Sequence, residues 1–299
     1  MTSPQKNNPK GILALLILSF LFALYGPLTR YLNTGFAISQ QIYLRIFAAV
    51  LISIVLFNKD LSFKKIKKIP IQDWGVLIFR SISFYVIGSM LFSLAAITTK
   101  IGNVAVIGSI PMTAILGFLI GEKFSFKKGL YIFISFVGII LIAAPNIQEL
   151  FLWGKGETLI FIATFFFSAS YVVRKWHTNY LNNKEITILI FSISAVIMII
   201  TSLFMKQGFP NNVFKPHYFT IILISAFLNV ISLFLTNYGF QKVQTSLASN
   251  ILTLEAVFGL ILGFIFYKEV PILKELIGAI VVIGGVLLLN NEESKNSPS

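Results

Sequence analysis

Ten apolar stretches of roughly twenty residues each divide the sequence, and short polar pieces separate them. A stretch of this length crosses a bilayer as one α-helix, because lipid cannot satisfy the hydrogen bonds of an open backbone. Charged residues make up 12% of the chain, against about 25% in soluble domains. We therefore expect an all-α integral membrane protein with ten transmembrane helices. The predicted spans are 11–31, 36–57, 74–97, 102–121, 129–145, 156–175, 186–205, 218–240, 246–268 and 271–290.

Lysine and arginine are unequally distributed between the two sides of the predicted bundle. If the N-terminus is cytoplasmic, 15 of the 24 Lys and Arg residues fall in cytoplasmic pieces and 6 fall in the outside loops. The loop 58–73 alone contains five lysines. Because cytoplasmic loops of membrane proteins carry an excess of Lys and Arg, the distribution predicts that both chain termini are cytoplasmic.

The first half of the sequence recurs in the second half. The segment GILALLILSFLFALYGPLTRY, which begins at Gly11, aligns with GETLIFIATFFFSASYVVRKW, which begins at Gly156. In this alignment Arg30 falls on Lys175. Each copy contains five predicted spans, and an odd number of spans gives the second copy the opposite orientation in the membrane. Inverted repeats of this kind place a substrate site near the midplane, between the two halves.

The repeat divides the chain into four parts. We expect a first repeat over residues 11–145 and a second over residues 146–290. Polar tails at 1–10 and 291–299 flank the repeats, and both tails are predicted to be disordered.

Several motifs follow one another in a fixed order along the two halves. They are ALYGPLTR around Gly26, YLRIFAA around Arg45, GNVAVIGSIP followed by GEKFSFKKG, SASYVVRKW around Tyr171, and LASNILTLEAVFGLILGFIFYKEVP. Together they resemble the drug/metabolite transporter superfamily, EamA type, over nearly the whole chain. The resemblance implies ten helices in two five-helix halves that carry small metabolites, commonly amino acids and related compounds. One departure is Ala256, where the family often has proline.

Glu255 is the one acid that falls deep inside a predicted apolar span. An ionised carboxylate at that depth is costly, so an acid there indicates a functional site. The alternative is a protonated glutamate that is hydrogen-bonded to a neighbouring helix. As a functional residue, Glu255 could exchange a proton in each transport cycle or stay ionised against a cationic amine.

Two arginines also lie within predicted spans and are expected to behave differently. Arg45 is near the middle of the second span, where its side chain cannot easily reach water, so it faces an acid, a carbonyl dipole or an anionic substrate group. A purely structural role for Arg45 stays open. Arg80 is closer to a span end and is expected to extend to the cytoplasmic face. Glu122 and Glu269 each close a span and are expected to cap the helix that follows.

Other polar side chains within spans could line a solute pathway. Four tyrosines offer a ring and a hydroxyl group: Tyr25, Tyr85, Tyr171 and Tyr238. Aromatic residues nevertheless pack more often in the core or against lipid. Asn250 lies on the same span as Glu255. Glu255, Arg45, Asn250, Tyr171 and Tyr25 are therefore the candidate substrate-binding residues.

Several classes of function are disfavoured. The net charge of +13 is explained by cationic loops of a membrane protein, so no nucleic-acid partner is expected. The chain has no cysteine and two histidines, His177 and His217, both in predicted loops, so no metal site is expected. Asp73 also falls in a predicted loop. No zinc-protease motif or phosphate-binding loop is present, so we expect neither an enzyme nor a cofactor.

The sequence therefore favours a secondary transporter of a small metabolite, with export slightly preferred on the family resemblance alone. Uptake, exchange and a non-transporting scaffold stay as alternatives. The expected partners are a small-molecule substrate and the lipid bilayer, with protons or a counter-substrate as coupling partners. The expected location is a bacterial-type inner membrane. The oligomeric state is left open, with a monomer as one form.

Overall fold

The polypeptide folds as a bundle of membrane-spanning helices. The computed structural model describes residues 8–60, 63–144 and 153–295. Within these residues all regular structure is helical, and ten helices are long and apolar enough to cross a membrane, so the predicted fold class is confirmed. Spans 1 to 10 are Pro9–Asn33, Ile38–Asp60, Ile71–Thr98, Gly102–Leu119, Phe126–Ala143, Lys155–Trp176, Asn183–Phe204, Pro216–Lys242, Thr245–Phe266 and Leu273–Lys295.

Four spans are interrupted part-way through the membrane. Spans 1, 4 and 9 each consist of consecutive shorter helices, and span 3 contains a wider π-helical segment. The pieces are Pro9–Ala23 and Tyr25–Asn33 in span 1; Ile71–Ser81, Ile82–Gly88 and Ser89–Thr98 in span 3; Ile101–Gly108 and Met112–Leu119 in span 4; and Thr245–Leu252, Leu254–Leu262 and Gly263–Tyr267 in span 9. Short helices at Asn58–Asp60, Phe63–Ile66, Arg174–Trp176 and Asn211–Phe214 lie at span ends.

Successive spans alternate in direction, so Pro9 and Lys295 lie on the same side of the bundle, which we call the termini side. On that side the backbone N–H of Asn8 donates to the carbonyl of Lys242, at 3.1 Å. The side that holds the end of span 1 and the start of span 10 is called the opposite side.

The two halves are interleaved in the bundle. The largest helix–helix contacts all join a span of the first half to a span of the second: 5 with 10, 2 with 7 and 8, 1 with 8 and 9, and 6 with 3 and 4. Spans 5 and 10 approach most closely at Gly138 and Gly278. A Cβ atom on Gly138 would lie 2.8 Å from the Gly278 carbonyl oxygen and one on Gly278 would lie 2.7 Å from the Gly138 carbonyl oxygen. Only glycine fits at this crossing.

Span 10 is longer than the sequence predicted. The prediction of a disordered tail from 291 is wrong for residues 291–295, because the helix continues to Lys295. Glu293 is 1% exposed there and pairs with Lys128 at 2.5 Å, so the last turn is held against span 5. At the other terminus, the Asn8 side chain caps a helix that begins at Pro9. Residues 1–7 and 296–299 and the predicted repeat boundary at 145–146 lie outside the described residues.

Candidate functional site

The interruption in span 9 lies immediately before Glu255. The N–H of Thr253 donates to the Asn250 carbonyl oxygen at 3.2 Å, and its hydroxyl group donates to the same oxygen at 2.6 Å. These two bonds close the helix Thr245–Leu252, and Glu255 becomes the second residue of the next helix. Discontinuous helices near the membrane centre are a feature of transporter sites, since they free backbone groups at the midplane.

Glu255 is exposed, whereas its neighbours Leu254 and Val257 are buried. The carboxylate interacts electrostatically with the hydroxyl group of Tyr171 in span 6. Tyr171 is itself 8% exposed, so it belongs to the interior of the bundle. Glu255 is thus an exposed acid beside a tyrosine of the bundle interior.

Tyr171 and Tyr25 belong to different halves and lie near each other. The ring of Tyr171 stacks on Phe240 of span 8, with centroids 4.9 Å apart and planes 10° apart. Tyr25 is the first residue after the interruption in span 1, and its hydroxyl group donates to Ser232 Oγ at 3.3 Å. The two phenol groups therefore connect spans 1, 6 and 8.

Arg45 is buried in span 2, with 7% of its surface exposed. Its Nε atom donates to the Gln41 carbonyl oxygen and its Nη1 atom to Thr29 Oγ1, each at 3.3 Å. Its charge interacts with Tyr25 and Tyr85. Both hydrogen bonds are long, and neither acceptor is an acid. The guanidinium group is thus a buried positive charge held by neutral groups.

Tyr85 joins the site, although it was not among the five candidate substrate-binding residues predicted from the sequence. It is 5% exposed and lies near Tyr25, Tyr171 and Arg45. It lies in the π-helical segment of span 3, where the Ser89 hydroxyl group donates to the Phe84 carbonyl oxygen at 3.0 Å. A π-helical turn leaves backbone groups to be satisfied locally and is frequent at functional sites.

We call Tyr25, Arg45, Tyr85, Tyr171 and Glu255 the midplane cluster. It brings together four of the five candidate residues. The fifth, Asn250, lies elsewhere: it is 1% exposed and its Nδ2 atom donates to the Gly285 carbonyl oxygen at 3.2 Å. Asn250 therefore lies at the contact between spans 9 and 10, one turn before Glu255.

Arg80 does not extend to the membrane surface. It is 1% exposed, and its Nε atom donates to the Ser170 carbonyl oxygen at 3.0 Å. The prediction that Arg80 reaches the cytoplasmic face is therefore wrong, because span 3 begins at Ile71 and is covered by span 6 at this level. The charge also interacts with Tyr85 and Tyr171, so Arg80 borders the midplane cluster on the termini side.

Glu122 connects three spans on the termini side. Its carboxylate accepts from the N–H groups of Thr245 and Ser246 at 2.5 and 2.9 Å and from Lys175 Nζ at 2.6 Å. It therefore caps span 9, where a carboxylate suits the helix dipole. The prediction that Glu122 caps the next helix is wrong, since Ser125 performs that role.

Glu269 is the repeat counterpart of Glu122 and behaves differently. It is exposed, and its carboxylate forms no hydrogen bond or ion pair with another described residue. The bundle is thus closed by a charged contact between spans 4, 6 and 9 on the termini side, and the equivalent acid on the opposite side is unengaged. Among the described residues, no group of three His, Cys, Asp or Glu side chains could hold a metal ion.

Comparison with known proteins gives a family and a fold. The model of the EamA-like transporter family matches residues 9–144 and 154–291. No curated protein sequence matches this chain. One solved crystal structure, 10% identical in sequence, superposes with a TM-score of 0.75 over 95% of this chain and 98% of that chain. That structural likeness shows the fold alone.

Proposed function

This chain belongs to the EamA-like transporter family, whose model matches both halves, and we propose that it is a secondary transporter of a small polar or amphipathic metabolite. The resemblance seen in the motifs is confirmed by that match, and the chain is a multi-pass membrane protein of a transporter family. Transport would proceed by alternating access, with the inverted halves rocking around a site near the midplane.

The midplane cluster is the observation that carries the proposal. It combines an accessible acid, a buried base and three tyrosine hydroxyl groups drawn from spans 1, 2, 3, 6 and 9. Charged groups within a membrane are costly and mark substrate or ion pathways. A scaffold protein does not need a glutamate within a membrane span that pairs with no other described residue, which is why the scaffold alternative is the weaker one.

The chemistry of the cluster favours a solute with an amine and a carboxylate, such as an amino acid or a related compound. Glu255 could hold a cationic amine, and Arg45 could bind a carboxylate in a fork of two hydrogen bonds. A second role for Glu255 is proton exchange in each cycle. We propose export, on the family relationship alone; uptake and exchange are the alternatives.

The proposal is tested by reconstituting the purified chain in liposomes. Radiolabelled amino acids and related zwitterions are supplied with and without an imposed pH gradient, and empty liposomes serve as the control. Saturable uptake or release of at least one solute supports transport. Absence of flux for every solute, with a folded and correctly inserted protein, would favour the scaffold alternative.

Arg45→Lys should reduce transport by about tenfold or more while the protein stays folded, because lysine keeps the charge but lacks the planar fork. Initial rates in proteoliposomes measure the effect, and thermal unfolding checks the fold. Arg45→Leu should be at least as impaired. Normal transport in both variants would show that Arg45 is not a binding residue.

We propose that the chain resides in a bacterial-type inner membrane with both termini cytoplasmic. Reporter domains fused after Ser299 and inserted in the loop 58–73 should both report the cytoplasm, since that loop is lysine-rich. A reporter inserted between Lys206 and Phe209 should report the outside. The proposed orientation would be wrong if either of the first two reporters lay outside, or if the third lay in the cytoplasm.

A further inference from the structure

Spans 3 and 6 face each other with a set of buried charges on the termini side. Asp73 and Arg80 are two helical turns apart in span 3 and share a face. Ser170 and Arg174 likewise share a face near the end of span 6, and His177 is the residue directly after that span. The exposed fractions of Asp73, Arg80, Arg174 and His177 are 0%, 1%, 3% and 9%.

Two contacts fix how the faces meet. Near the surface, His177 Nδ1 lies 3.0 Å from Asp73 Oδ1, and the Thr178 N–H and hydroxyl group donate to the same carboxylate at 2.8 and 2.5 Å. Two turns deeper, Arg80 donates to the Ser170 carbonyl oxygen. Arg174 therefore lies between these two contacts. Asp73 and His177, which the sequence placed in loops, form a buried pair.

The charges of this set do not balance. Arg80 and Arg174 interact with each other as like charges, and Asp73 is the acid that interacts with Arg174. Burial, with the charges of Arg80 and Arg174, lowers the pKa of His177 below its usual range. The imidazole is thus neutral, and two guanidinium groups oppose one carboxylate. A buried charge without a counter-charge is strongly unfavourable.

Unused hydrogen-bond donors lie in the same place. Arg80 Nη1 and Arg174 Nε are buried and have no hydrogen-bond partner among the described residues. Arg174 uses its Nη2 atom on Asn183 Oδ1 at 2.5 Å. His177 Nε2 is also unpartnered, and in a neutral ring bonded through Nδ1–H it offers a lone pair. The two guanidinium groups therefore supply the free N–H donors.

We propose that Arg80 and Arg174 form a binding site for a small monovalent anion, between spans 3 and 6 and on the termini side of the midplane cluster. Its ligand is a carboxylate or a halide, which would supply the missing negative charge and accept both free N–H groups. A groove of about 360 Å³ lies between the same two spans, and Gly75, Phe79, Val173 and Trp176 are among its lining residues.

The experiment uses intrinsic fluorescence of the full-length protein in nanodiscs. Trp74 and Trp176 are adjacent to Asp73 and His177, so Trp153→Phe leaves both remaining tryptophans next to the site. Sodium formate and sodium chloride are titrated separately, at constant ionic strength maintained with the bulky sulfonate MES. A saturable change supports the site. A stronger response to formate assigns it to the carboxylate of a solute, and a stronger response to chloride assigns it to a free halide.

Variants in the Trp153→Phe background separate binding from general charge effects. Arg174→Gln should weaken the apparent affinity by about tenfold or more, and so should Arg174→Lys, which keeps the charge and the fold but loses the Nε donor. Lys184→Gln is the matched control, because Lys184 is on the termini side but pairs with Asp60 outside the set. It should titrate like the parent.

The proposal is overturned if neither anion gives a saturable response, or if Lys184→Gln and the Arg174 variants respond alike. The measurement does not require transport, so a negative result here leaves the proposed function standing. Equally, failure to find a transported solute leaves the anion site standing.

Discussion

Glu255→Gln should reduce accumulation driven by a pH gradient by about tenfold or more. Glutamine keeps the size and hydrogen-bonding capacity of the side chain but cannot titrate. The exposed position of Glu255 beside Tyr171 means that the substitution removes no buried packing, so the fold should be retained. Gradient-driven flux in proteoliposomes and thermal unfolding measure the two effects.

Solute exchange without a gradient separates the two roles of Glu255. If the acid carries a proton in each cycle, Glu255→Gln should keep exchange while it loses accumulation. If the acid holds a substrate amine, exchange and binding should both be lost. Glu255→Asp retains a titratable group and should restore part of the lost activity in either case. Normal exchange and accumulation in Glu255→Gln would reduce Glu255 to a structural acid.

Glu122→Gln should open the termini side of the bundle. The substitution removes the carboxylate that accepts from Thr245, Ser246 and Lys175. Hydrogen bonds to charged groups contribute about 1.5–3 kcal/mol each, so spans 4, 6 and 9 should separate more often. Because the chain contains no cysteine, Ser246→Cys gives a single reactive site at a position that is 0% exposed. Maleimide should label it about tenfold faster or more when Glu122 is replaced.

Glu269→Gln is the matched control for Glu122→Gln, since its carboxylate is exposed and unengaged. It should leave labelling at Ser246→Cys unchanged and alter stability by less than about 0.5 kcal/mol. Equal labelling rates in the two variants would show that Glu122 does not close this side.

The contribution of Glu122 to stability should depend on pH in a defined direction. Burial alone would raise the pKa of Glu122, but the Lys175 charge and the hydrogen bonds from Lys175, Thr245 and Ser246 outweigh it and lower the pKa. The pKa of Glu122 is therefore lower in the folded protein than in the unfolded chain, where it is about 4.3. Glu122 stabilises the fold fully above the unfolded-state pKa, and this stabilisation is lost as the pH falls through the folded-state pKa. The difference in unfolding temperature between the parent and Glu122→Gln should be constant from pH 8 to 6 and shrink below about pH 4.3.

The sequence predicted what periodicity and composition determine. Ten apolar stretches correspond to ten spans, and the repeat corresponds to the two matches of the family model. The sequence also showed that Glu255 lies deep within a span, because the number of residues from Glu255 to each end of the apolar stretch can be counted. The helix interruption before Glu255 could not be predicted, since threonine, the residue type at Thr253, also occurs in continuous helices.

Partners between distant spans could not be predicted. Arg80 is seven residues from Asp73, so its side chain was expected to reach the cytoplasmic face, but span 6 covers it. Glu122 was expected to act locally, yet the N–H groups that donate to it lie 123 and 124 residues further along. The pairing of Asp73 with His177 likewise depends on how spans 3 and 6 face each other. One-dimensional patterns carry no information on which faces meet.

The interleaving of the halves has a consequence for how the chain is made. Span 1 packs on spans 8 and 9. A ribosome that adds about 5–20 residues per second needs roughly 10–40 s to synthesise the chain between them. During that interval the early helices are inserted without their final neighbours, and Arg45 faces lipid or a temporary partner. We therefore expect membrane insertion to depend on an insertase or chaperone that shelters the nascent first half. Halves expressed as separate polypeptides should escape degradation only when both are produced in the same cell.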